Sequence, residues 1–116
     1  MANQIKVTAM MQRPNTSVTF PKVTDEFNTY QQINYINTGK LVYKDVHISV
    51  DKLSKTMIST FASQADYDAY KVDETIRAGN VIRDQFCKDN SVSFTLLFQE
   101  IDESGTAINS RVVTVS

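Results

Sequence analysis

The chain has 116 residues, 41% of them apolar and 22% charged, so a single globular domain over 1–116 is expected and disorder is not. Its 12 basic and 13 acidic residues are interspersed and give a formal net charge of −1. No basic stripe could neutralise a phosphate backbone, so no nucleic-acid partner is expected. No apolar run approaches the ~20 residues of a membrane span, so none is expected to enter a membrane.

Met1-Ala2-Asn3-Gln4-Ile5-Lys6 lacks the basic-then-apolar build of a signal peptide. Cys87 is the lone cysteine, which rules out an intrachain disulfide and suits a cytoplasmic or virion-associated setting.

In chain order, residues 4–12 alternate, with Ile5, Val7, Ala9 and Met11 opposing Lys6, Thr8, Met10 and Gln12; this is a strand. Arg13-Pro14-Asn15-Thr16-Ser17 ends it, and residues 17–20 could add a short edge piece. Residues 24–37 read as a helix capped by Thr24, with Asp25 and Glu26 in its first turn and Gly39 past its end. Its stripe would be Phe27, Tyr30, Ile33 and Ile36. Residues 41–50 and 55–62 form an alternating hairpin around Asp51-Lys52. Ser63-Gln64-Ala65-Asp66 has capping-box spacing, and a helical region follows to residue 88. The helical pattern restarts at Val72-Asp73-Glu74, with Ile76, Ile82 and Phe86 as its buried stripe. A kink is expected at Gly79-Asn80. Residues 92–101 alternate again, Asp102-Glu103-Ser104-Gly105 turns the chain, and 107–115 make a fifth strand.

The order is therefore strand, helix, strand, strand, helix, strand, with an extra C-terminal strand. That predicts an α+β, ferredoxin-like βαββαβ fold: an antiparallel sheet with its helices on one face.

The passage from Met57 to Tyr70 resembles the strand-into-helix junction of dimeric α+β barrel proteins, the antibiotic-biosynthesis-monooxygenase-like and stress-responsive barrel families. In these a strand ends in an aromatic, a Ser or Asp caps the next helix, and aromatics pack beneath it. The resemblance implies pairing of two copies through their open sheet faces and, in some members, a small ligand or haem between helix and sheet. It carries over no active residue. Haem-degrading relatives use a helix His and a Trp, whereas this chain has no Trp and its lone His47 falls on a strand. Stress-responsive relatives place a His where this chain reads Asp73-Glu74-Thr75.

The residues themselves point the same way. Asp45, His47 and Ser49 are alternate neighbours on one strand and cannot converge on a shared proton path, so no catalytic residue is assigned. Asp66, Asp68, Asp73 and Glu74 suit helix N-termini better than a cation site, and no metal or other cofactor is expected. Cys87 reads as a structural thiol near a helix end. The outward strand positions offer too few aromatics to stack RNA bases.

The second sheet face would carry Met10, Ile58, Leu97 and Ile101, too apolar to stand in water, which predicts a homodimer interface. The last strand could reach across to that partner. The leading expectation is a non-catalytic homodimeric α+β barrel acting through protein contacts; its texture suits an accessory protein of a virus or marine microbe. The alternative is a cofactor-independent oxygenase or small-ligand binder, its pocket between helices and sheet lined by Tyr30, Tyr67 and Tyr70.

Overall fold

A computed structural model describes residues 3–116. Their elements are β1 (Gln4–Gln12), α1 (Asp25–Gln31) with a π-helical turn (Gln32–Ile36), β2 (Leu41–Ile48), β3 (Ser54–Phe61), α2 (Gln64–Val72), α3 (Glu74–Asp89), β4 (Ser93–Ile101) and β5 (Ala107–Thr114). This is an α+β fold with one five-stranded sheet in the order β2-β3-β1-β4-β5. Every pairing is antiparallel: β1 with β3 and β4, β2 with β3, and β5 with β4. β5 thus completes the sheet of its own chain. Residues 17–20 form no strand; Val18 and Phe20 pack against the core instead.

Register follows from the alternation, because only one phase places all the large apolar side chains on one face. Ile5 lies opposite Phe61, Ala9 opposite Met57 and Leu96, and Met11 opposite Phe94. That face packs against the helices in two clusters. One joins Ile5, Leu41 and Phe61 to Tyr35 and Ile76; the other joins Ala9, Met11, Val92 and Phe94 to Cys87. The opposite face carries Thr8, Met10, Ile58, Leu97 and Val112, with Ile58 and Leu97 both paired to Thr8.

The expected helix over 24–37 forms, but not as one regular cylinder. Thr24 Oγ1 accepts from Phe27 N at 3.1 Å and starts it. After Gln31 the winding loosens, and Asn37 N donates to Gln32 O at 2.8 Å, five residues back. The buried side runs through Gln31 and Tyr35, four apart, and not through Ile33. Ile33 is 57% exposed, while Gln31 and Tyr35 are each 4% exposed. Gly39, at φ +78°, then reverses the chain into β2.

Ser63 caps α2 as the spacing predicts: its Oγ accepts from Asp66 N at 3.2 Å and donates to Asp66 Oδ2 at 3.0 Å. The break in the helical region falls at Asp73, not at Gly79-Asn80. Asp73 has extended backbone (φ −63°, ψ 123°), and its Oδ1 caps α3 through Thr75 N and Ile76 N. α3 then runs unbroken through Gly79. The glycine is there for contact: a Cβ at that position would lie 2.6 Å from the Phe27 ring of α1. Ile76 is fully buried as expected, but Ile82 is 71% exposed.

Candidate site: a cavity between helices and sheet

Between α3 and the inner sheet face lies a cavity of about 570 Å³. Its floor is Val7, Ala9, Met57, Ser59, Leu96 and Phe98 on the inner sheet face, and its roof includes Phe27, Tyr30, Gln31, Gly79 and Phe86 from α1 and α3. Tyr67 and Tyr70 of α2 close one end. It opens to solvent, since Val23 and Ile82 belong to its wall and are 49% and 71% exposed. A mostly carbon surface with a few convergent polar groups is the usual make-up of a small-molecule site.

The three tyrosines singled out from the sequence all lie in this wall, each doing something different. Tyr30 gives the cavity its ring, while its hydroxyl donates to Asp73 Oδ2 at 2.7 Å. That hydrogen bond, then burial, raises its pKa. Tyr70 packs edge-on against Tyr35 with centroids 4.8 Å apart, and its hydroxyl accepts from Gln31 Nε2 at 2.9 Å. Tyr67 stacks against Phe61 and Phe98, with ring centroids 5.3 and 5.7 Å away. Among the described residues its hydroxyl has no hydrogen-bond partner. Burial raises the pKa of both Tyr67 and Tyr70, so neither is poised to act as a base near neutrality.

The polar centre is one the sequence did not single out. Gln31, one α-helical turn after Phe27 at the end of α1, accepts a short hydrogen bond from Lys44 Nζ through Oε1 and donates to Tyr70. Lys44 comes from edge strand β2, opposite Ser59. Desolvation of its ammonium lowers its pKa. A glutamine inside an Asn/Thr-rich segment gives no sequence signal of its own; a lysine at an inward-phase strand position was the one readable hint.

The other candidates fall elsewhere. His47 is exposed on β2, in register with Thr56 and Met10 on the opposite face. Ser49 donates to Asp51 Oδ1 at 2.6 Å, not to His47. Cys87 is fully buried in the second core cluster, and burial pushes its thiol pKa up. Asp66 and Asp73 serve as helix-end groups, and Asp68 pairs with Lys71 at 3.3 Å. Met10, Ile58, Leu97 and Ile101 lie together on the sheet face away from the cavity, Met10 being 36% exposed. No helix among the described residues is long and apolar enough to cross a membrane.

No family model matches the chain, and no curated protein sequence does. Among solved structures, a phage SAM lyase in its apo state is similar at 11% identity. The match covers 94% of this chain and 88% of that one, with a TM-score of 0.31. A likeness that slight transfers neither fold nor activity.

Proposed function

We propose that this chain binds a small, largely apolar molecule in the cavity between its helices and its sheet. One observation carries the reading: about 570 Å³ of space with a carbon floor, into which the Lys44–Gln31–Tyr70 hydrogen-bond chain projects the polar groups. Binding is favoured over turnover because the tyrosines of the wall are held neutral and His47 is on the other side of the sheet.

The test is the fluorescence of N-phenyl-1-naphthylamine, a neutral dye that brightens in apolar surroundings. The native protein should enhance and saturate it at micromolar concentration. Ser59→Phe, which fills the floor, should abolish the enhancement while leaving the circular dichroism spectrum unchanged. An equal response in both proteins would place the dye elsewhere.

A second reading has its own support. The far sheet face places Ile58, Thr8, Leu97 and Val112 in one cross-strand row beside Met10, and Val112 is 62% exposed. We propose that a second copy covers this row, as in the dimeric α+β barrels the 57–70 passage resembles. The order of the first four strands and their uniformly antiparallel pairing support a ferredoxin-like core. β5 extends that pattern by one edge strand, so the whole sheet departs from its standard form.

A further inference from the structure

We propose that the ligand of this cavity is an amphipathic monocarboxylate, its acid group bound at Lys44 and its apolar body laid over Met57, Leu96, Phe27 and Phe86. The inference rests on the cavity being a ligand site, and it follows from how the positive charges around it are used.

Lys22, Lys44, Lys71 and Arg83 belong to the lining, against a single carboxylate, Glu26. Two of the four cations are already engaged. Lys71 lies 3.3 Å from Asp68, and Arg83 bonds Asp84 at 2.9 Å with its guanidinium over the Phe94 ring. Lys44 is different. Among the described residues its ammonium makes one hydrogen bond, to Gln31, and no ion pair. Two of its three N–H groups are left to donate.

Its position is also fixed. Gln31 is 4% exposed, and its other amide atom is held by Tyr70, so the Oε1 that receives Nζ has little freedom. A cation held in one orientation and short of a counter-ion gains most from an anion whose apolar body can occupy the cavity beside it.

The class of anion follows from the surroundings. Among the described residues Lys22 and Lys44 make no ion pair, and set against Glu26 they leave one net positive charge, which matches one negative charge. A phosphate dianion would leave excess charge beside Glu26 and would find no arginine fork, since Arg83 is occupied. The floor beyond Lys44 is hydrocarbon, which asks for an apolar body. The Tyr67 hydroxyl offers a further polar contact along the wall.

The experiment is competition against bound N-phenyl-1-naphthylamine by decanoate and by 2-naphthoate, each matched with its neutral alcohol, decanol and 2-naphthol. In the native protein at least one acid should displace the dye at a concentration roughly tenfold below its alcohol. Which acid does so distinguishes a chain from a ring as the body. Lys44→Met should lose that preference, read as the ratio of acid to alcohol within the variant itself. If the dye binds but neither acid outcompetes its alcohol, or if Lys44→Met keeps the preference, the inference is overturned and the cavity reading survives. If the native protein does not bind the dye, both are overturned together.

Discussion

Tyr35 donates its hydroxyl hydrogen to Asp73 Oδ2 across 2.6 Å, tying the π-helical turn after α1 to the N-cap of α3. The same oxygen accepts from Tyr30, while Asp73 Oδ1 caps α3. One carboxylate therefore holds together the elements that roof the cavity. Burial works against its charge, but the two tyrosine hydrogen bonds and the backbone N–H groups outweigh burial and hold its pKa below the usual carboxylate value. For Tyr35, burial and then the bond to Asp73 push the phenol pKa well up.

Stability should therefore fall off at both ends of the pH scale. A lowered native pKa at Asp73 means its contribution is present above the ordinary carboxylate value of about 4 and is lost as pH falls through the native value. A raised native pKa at Tyr35 means its contribution is complete below about 10 and is lost as pH rises beyond. Urea denaturation across a pH series should show both limbs, with the acid limb shallower in Asp73→Asn. Tyr35→Phe should lower stability by about 1.5–3 kcal/mol, the range for a hydrogen bond to a charged partner. Identical acid limbs in native protein and Asp73→Asn would remove Asp73 from this role.

Gly79→Ala should destabilise the fold despite the better helix former. Alanine in a helix interior gains about 1 kcal/mol over glycine. Here its Cβ would meet the Phe27 ring at 2.6 Å, and overpacking of that kind costs ~1–3 kcal/mol. Phe27 lines the cavity, so a ring displaced into it should also make the variant bind the neutral dye less well. A more stable Gly79→Ala with unchanged binding would show that Phe27 moves freely.

Phe94→Ala should cost ~3–5 kcal/mol, because Phe94 is fully buried at the centre of the second cluster. His47→Ala, exposed on an edge strand, should leave the denaturation midpoint where it is. Both follow from chemical denaturation monitored by circular dichroism.

If two copies meet through the far sheet face, Leu97→Asp should turn a micromolar dimer into a folded monomer. Each apolar side chain of the row contributes about 1.5–3 kcal/mol when fully buried, and a carboxylate at its centre would have no partner there. Light scattering reads the outcome directly. A native protein that is already monomeric would remove the barrel-type pairing.

Strands were legible in the sequence because a period of two leaves one buried phase: β1 and the phase of β2 through β4 could be read from Ile5, Met57, Phe94 and their neighbours. Caps at Thr24 and Ser63 were legible for the same local reason. The helical layer was less so. The segment buries Gln31 and Tyr35, four apart, where the apolar residues suggested a stripe spaced by three, so Ile33 was expected inside and Gln31 was not. Gly79 looked like a breaker because its reason for being there, the ring of Phe27, lies 52 positions away in the chain. The tyrosines of the wall could be named from their helical spacing. The lysine and glutamine between them could not, since they meet only through tertiary packing.

The central claim, that the space between helices and sheet holds a small molecule, is tested most directly by methyl NMR on protein labelled at its methionine methyl groups. Met11 and Met57 line the cavity, and Met10 sits on the opposite sheet face as an internal control. Adding N-phenyl-1-naphthylamine should move the Met11 and Met57 resonances with one saturation curve and leave Met10 in place. Resonances that stay fixed at Met11 and Met57, or a response confined to Met10, would contradict it.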